Sequence, residues 1–121
     1  MRQVRSFVSD IWYEVSTTIN NNEPVFLDQK VRYLFEQVLL ETEMRFDFDL
    51  RDLVVERGRV TFCIKSADGS QLPLIIKWLK QTFAARFNAQ SKRRGHLWAG
   101  RAKIRLVSSP PAECPQVPER R

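Results

Sequence analysis

The sequence predicts an α+β fold of the ferredoxin-like, split βαβ type. That is a four-stranded antiparallel sheet with two helices on one face, in the order βαββαβ. Three observations carry this. Residues 11–18, 50–55, 59–65 and 95–107 read as extended segments, the first three of them rich in β-branched or other apolar residues. Residues 28–46 and 72–88 place apolar side chains at helical spacing. Within 59–65, Val60, Phe62 and Ile64 alternate with Arg59, Thr61, Cys63 and Lys65. One face of that strand is therefore apolar and packs on helices, while the other is partly polar and open.

The first strand is the Ile-Trp-Tyr-Glu-Val-Ser-Thr-Thr run at 11–18, and residues 20–24 form the loop after it. Asp28 is placed to cap a helix whose inward stripe is Val31, Leu34, Phe35, Val38 and Thr42. That helix runs to about Phe46, with Glu36, Glu41 and Glu43 toward solvent. Glu56-Arg-Gly58 suits a tight hairpin in which Gly58 takes a positive φ. Asp68-Gly-Ser70 makes a turn, with Ser70 as cap of a second helix whose first turn tolerates Pro73. Its stripe is Ile75, Trp78, Leu79, Thr82, Phe83 and Phe87. A basic loop follows Asn88, and a last extended segment is built around Leu97, Trp98, Ile104 and Leu106. No internal repeat is visible.

A length of 121 residues suits one domain, read as 1–107. Residues 108–121 are proline-rich and aperiodic, and are expected to be a disordered tail. With 43% hydrophobic and 28% charged residues, the composition is that of an ordinary globular protein rather than a fibrous or disordered one. No run approaches a membrane span, and the N-terminus lacks the apolar core of a secretory signal. Cys63 and Cys114 stand alone, which excludes a disulfide scaffold and a zinc knuckle. The expectation is a reduced, cytoplasmic protein without a membrane partner. Cys63 reads as a small packing residue, since no base can be placed beside it.

The net charge of +6 is unevenly spread. Residues 1–76 hold nine Lys/Arg against twelve Asp/Glu, whereas 77–105 hold nine basic residues and no acid. Those nine are Lys77, Lys80, Arg86, Lys92, Arg93, Arg94, Arg101, Lys103 and Arg105. Such a segment points to a polyanionic partner. A solvated helix face with a basic loop has the same composition.

Two segments in this half carry a resemblance. They are Trp78-Leu-Lys-Gln-Thr-Phe-Ala-Ala-Arg-Phe-Asn88 and Arg94-Gly-His-Leu-Trp-Ala-Gly-Arg101. Together they resemble the single-tyrosine transposases, especially the REP-associated tyrosine transposases of bacteria. Those proteins carry a long helix ending in an aromatic-Asn pair, a basic loop and a Gly-His-Leu-Trp/Phe-x-Gly-Arg signature. Tyr13-Glu-Val-Ser-Thr17 looks like their Tyr-His-Val-Thr-Ser strand, and Asn20-Asn-Asn-Glu-Pro-Val-Phe26 like their Asn-Asn-x-x-x-Ile/Val-Phe loop. The resemblance spans about residues 11–107 and implies a ferredoxin-like fold.

The family's DNA transposition chemistry uses a His-hydrophobe-His pair that binds Mg²⁺ or Mn²⁺, and a Tyr on a later helix that attacks the phosphate. Its Pro-Asn-His-Val-His-Leu-Leu motif aligns here with Arg57-Gly-Arg-Val-Thr-Phe-Cys63, putting Arg59 and Thr61 in the two His positions. Arg59 is a permanent cation and Thr61 a weak oxygen ligand, so no metal cofactor is expected. Neither Tyr13 nor Tyr33 matches the nucleophile, and a Pro-rich tail stands where its helix would be. The resemblance thus implies a degenerate, truncated transposase-like domain with no catalytic residue, leaning against enzyme activity.

What the resemblance leaves is a basic, aromatic second half. Lys92, Arg93 and Arg94 are expected to contact phosphates, His96 and Trp98 to stack on unpaired bases, and Arg101 and Lys103 to extend the surface. The competing reading makes Leu97 and Trp98 core, as a Trp in a strand more often is, with Gly95 and Gly100 marking turns. The expected partner is DNA, single-stranded or hairpin, with a homodimer as a further expectation because relatives are often dimers. The alternatives are a structural or protein-interaction module, a remnant without function, and an active nuclease with an unrecognised site.

Overall fold

The structure, a computed structural model, describes residues 7–107. Six elements follow the expected order: β1 (Trp12–Thr18), α1 (Gln29–Arg45), β2 (Phe48–Val55), β3 (Arg59–Ser66), α2 (Leu72–Ser91) and β4 (Lys103–Leu106). The strands form one antiparallel sheet in the order β2-β3-β1-β4. Its inner face and the two helices share one apolar core. The expected tail at 108–121 lies outside the described residues. Among those described, no helix is long and apolar enough to cross a membrane.

The alternation in β1 and β3 does what period-two patterning requires. Tyr13, Val15 and Thr17 are buried on β1, and Val60, Phe62 and Ile64 on β3. The opposite face presents Trp12, Glu14 and Ser16 beside Lys65, Cys63 and Thr61, their register partners. β2 begins at Phe48, two residues before the predicted start. Its register shifts between Arg51 and Val54, where Asp52 takes φ 55°. A bulge on an edge strand blunts it against pairing with another chain.

α1 starts as predicted, with Asp28 Oδ1 accepting from Lys30 N at 2.9 Å. Val31, Phe35, Val38, Leu39 and Thr42 are buried, and Leu34 is half-buried. The buried Thr42 hydroxyl donates to Val38 O at 2.7 Å, so it brings no unpaired group into the core. Glu36 and Glu43 face solvent as expected. Glu41 instead holds Arg86 of α2, with Arg86 Nη2 donating to its Oε1 at 2.7 Å.

Three expectations are corrected in the second half. Ser70 is not the helix cap. Asp68 accepts from Ser70 N at 3.0 Å and starts a single 3₁₀ turn that leads into α2, and Pro73 sits in the first turn as predicted. α2 continues to Ser91, past the expected end at 88, because Lys92 closes it in the left-handed conformation with φ 58°. Its buried stripe also takes in Leu72 and Ile76, while Thr82 and Trp78 are half-buried. Of the last extended segment only Lys103–Leu106 pairs as a strand. Trp98 adds an isolated bridge to Ile19.

The reason for glycine at 58 also differs from the expected one. Gly58 does not adopt a positive φ. A Cβ there would stand 2.7 Å from Asn22 Oδ1 and 2.9 Å from the backbone oxygens of Asn22 and Glu23. The β2–β3 hairpin thus packs backbone to backbone on the loop after β1, where Ile19 N donates to Gly58 O at 2.8 Å. Gly58→Ala is expected to lower stability by about 1–3 kcal/mol, as overpacking does. Urea unfolding of the variant checks this, and an unchanged midpoint would show that the loop yields freely.

Candidate functional site

The basic run does not form one uniform patch. Arg86 is taken by Glu41, and Arg105 Nη2 donates to Glu14 Oε1 at 2.6 Å on the open sheet face. Arg93 Nη1 donates to Glu23 Oε2 at 2.8 Å, with its guanidinium 5.5 Å from the Phe87 ring centre. Lys80 Nζ donates to Gly100 O at 2.6 Å. Lys77, Lys92, Arg94, Arg101 and Lys103 have no acid or side-chain hydrogen-bond partner among the described residues. Among the described residues, six of the nine cations therefore lack an acid partner: these five and Lys80, whose ammonium hydrogen-bonds only to the Gly100 carbonyl.

Asn88 builds the turn that displays several of these groups. Its backbone oxygen accepts from Lys92 N and, at 2.9 Å, from Arg93 N, which completes the helix end. Its side-chain Nδ2 donates to Gly95 O at 3.1 Å and ties down the far end of the turn, where Gly95 has φ 91°. Beyond it the chain is pinned to the sheet, with Asn20 N donating to Leu97 O at 2.7 Å and Ala99 N to Thr18 O at 2.8 Å. Leu97 is buried, which aligns the neighbouring His96 outward.

Trp98 is half-buried and held by its polar atom. Its indole Nε1 donates to Lys80 O at 3.0 Å, and its ring centre lies 5.8 Å from that of Phe83. His96, Trp98 and Arg101 meet Lys77 and Lys80 in a cleft of about 750 Å³ between α2 and the 95–104 segment. Burial pushes the Lys80 ammonium below its ordinary pKa. Of the seven residues singled out from sequence, His96, Trp98 and Arg101 share this cleft. Lys92, Arg93 and Arg94 share the turn. Lys103 stands apart on the open sheet face, opposite Ser16 in register.

Cys63 is buried on the open-face side of β3, and burial followed by the nearby Asp52 charge pushes its thiol up. A protonated, enclosed thiol packs and does not attack. Tyr13 is a core residue whose hydroxyl accepts from Val8 N at 2.9 Å, and Tyr33 is exposed on α1.

Solved structures share this architecture. A REP-associated tyrosine transposase bound to a REP hairpin superimposes with a TM-score of 0.74 at 10% identity, covering 90% of this chain and 63% of that one. A candidate transposase from Deinococcus radiodurans R1 gives a TM-score of 0.64 at 18% identity, covering 89% of this chain and 87% of that one. The chain shares the fold of these two proteins. No protein-family model matches it, and neither does any curated protein sequence. The chain spans under two thirds of the length of the REP-associated protein.

Arg59 and Thr61, the positions that the sequence resemblance sets against that family's metal ligands, lie on the open face of β3. Arg59 Nε donates to Glu56 Oε1 at 2.9 Å, and Thr61 is half-buried beside Ser16. A permanent cation and a neutral hydroxyl do not fit a divalent ion. Among the described residues, no group of three or more His, Cys, Asp and Glu stands together to hold one.

Sequence reasoning missed three contributors. Glu23 and Arg93 are 70 residues apart and nothing local pairs them. Asn88 was noticed only inside a motif, without its role as the clamp of the turn. Lys77 and Lys80 were seen as charges on a helix, yet their spacing with Ile76 and Ala84 already marks one α2 face toward the cleft.

Packing and charge separate in a simple experiment. Trp98→Ala is expected to lower stability by about 3 kcal/mol, the low end for a core aromatic. Arg93→Ala is expected to lower it by about 1 kcal/mol, since the Glu23 pair is only partly buried. Urea unfolding of both variants checks the order, and equal losses would contradict it.

Proposed function

We propose that the chain binds nucleic acid through the turn and cleft that follow α2, with preference for single-stranded or hairpin DNA, and does not cleave it. The observation that carries this reading is the set of cations with neither an acid nor a hydrogen-bond partner among the described residues: Lys77, Lys92, Arg94, Arg101 and Lys103. Unpaired Lys and Arg gain most from phosphate contact, because no internal pair must first be broken. The shared fold supports DNA as the partner, since the REP-associated transposase is bound to a REP hairpin.

Each residue has a part in this reading. Lys92 and Arg94 meet phosphates from a turn that Asn88 makes rigid. Arg93 joins them by exchanging Glu23 for a phosphate oxygen. His96 offers an exposed ring for stacking, and Trp98 offers the part of its ring that lines the cleft. Arg101 continues the surface, and Lys103 extends it to the sheet edge. The absence of cleavage rests on Arg59 and Thr61 in the ligand positions and on the core location of Tyr13.

The test is a titration of single-stranded, hairpin and duplex DNA at two salt concentrations. With three to five phosphate contacts, log K against log salt on single strands is expected to slope at roughly −2 to −3.5. Arg94→Ala with Arg101→Ala is expected to weaken binding to all sequences and flatten the slope by about 1.4. Absence of binding at low salt would favour a protein-interaction module.

Labelled hairpin DNA incubated with Mg²⁺ or Mn²⁺ is expected to remain intact and free of protein. A covalent adduct that survives denaturation would overturn the non-cleaving part of the proposal.

A further inference from the structure

The cleft between α2 and the 95–104 segment is more than a mouth for phosphates. Its floor is apolar, formed by Ile76, Ala84, Leu97, Trp98 and Ile104. Lys77, Lys80 and Arg101 supply charge, and no Asp or Glu among the described residues lines it. A volume of about 750 Å³ is that of a small-molecule site rather than a packing defect.

Lys80 is the unusual group. Its ammonium turns into the cleft, bonded to Gly100 O at 2.6 Å and 5.5 Å from the Trp98 ring centre. A carbonyl dipole and a ring face attract a cation but do not neutralise it. No carboxylate among the described residues pairs with it, and burial alone accounts for its lowered pKa. A half-desolvated cation without a counter-ion stands at a free-energy disadvantage that an incoming anion removes.

We propose that this cleft is a receptor for a small aromatic monoanion, a carboxylate or sulfonate, whose ring lies on the apolar floor and whose charge meets Lys80. Lys77 and Arg101 at the rim exclude cations and draw the ligand in. The inference goes beyond nucleic-acid binding and does not rest on it, although His96, Trp98 and Arg101 border both surfaces.

The probe is 8-anilinonaphthalene-1-sulfonate, titrated into the full chain under native conditions and followed by fluorescence and calorimetry. One saturable site is expected. Lys80→Met is expected to weaken it about tenfold, the scale of one charge-assisted hydrogen bond. Lys80→Arg, which keeps the charge, retains binding, and Lys30→Gln on α1 leaves it unchanged. The uncharged N-phenyl-1-naphthylamine binds the native protein and Lys80→Met alike. Because such dyes also bind partly unfolded chains, the melting temperature must rise with dye concentration, as binding to the native state requires. Several weak sites, a falling melting temperature, or a Lys80→Met variant that is folded by circular dichroism and binds the dye equally would overturn the proposal. The dye reads the cleft without DNA. A protein that binds dye but no oligonucleotide therefore contradicts only the nucleic-acid reading, and the reverse result contradicts only this one.

Discussion

The Phe83 ring holds the molecule's two halves together. It is fully buried and meets Phe35 of α1 at 5.2 Å between ring centres, Phe26 at 5.6 Å, Trp98 at 5.8 Å and Phe87 at 6.0 Å. Those partners come from the loop after β1, both helices and the segment before β4. Gathering four aromatic rings around Phe83 supplies apolar area, with edge-to-face geometry at Phe35 and stacking at Phe26 and Phe87. The proposed binding surface is built on the back of this cluster. Trp98 packs on it directly, Arg93 lies over Phe87, and Lys80 reaches across Trp98. A turn with so many polar residues stays ordered because its anchors are in the core.

Charge pairing then decides which basic residues matter. A count along the chain finds nine cations between 77 and 105 and treats them alike. The folded chain withdraws Arg86, Arg93 and Arg105 into pairs with Glu41, Glu23 and Glu14, all from the acidic first half. Glu41 is held below its ordinary pKa by the Arg86 hydrogen bond, and Arg86 is raised by the same bond. Both side chains are exposed, so the pair orients the two helices more than it stabilises them. The acids of residues 1–76 thus edit the basic surface of the second half.

Local rules made much of the fold legible. Asp28 capped its helix, Val60, Phe62 and Ile64 faced inward, and the element order held, because each depends on neighbours within a few residues. Gly58 was read for the wrong reason. Its constraint is set by Asn22 and Glu23, more than thirty positions away, and a hairpin glycine looks the same whether it serves φ or close approach. The end of α2 moved because Lys92 accepts a left-handed conformation that its residue type does not advertise. At the site, the aromatic-Asn pair and Gly95 marked the turn. The Glu23 partner and the cleft were invisible, since both depend on loops brought together only by folding.

The same pairing favours the turn over the sheet as the place for the proposed polyanion. The open face and its hairpin end carry Arg51 against Asp52, Arg59 against Glu56, Lys65 against Asp49 and Arg105 against Glu14. Trp12, the aromatic of that face, is already covered by the Arg51 guanidinium at 4.2 Å and approached by the Lys65 ammonium at 5.3 Å. A strand laid across this face would meet a carboxylate at each of these four cations and would have to displace Arg51 to stack. Lys103 has no described partner, and it sits on the edge strand. Around the end of α2 the balance is the reverse, with Glu23 the single acid engaged there. The difference lies in where the acids sit and not in the number of basic residues, so replacing Glu14 would change the sheet face more than adding a lysine to the turn would change the turn.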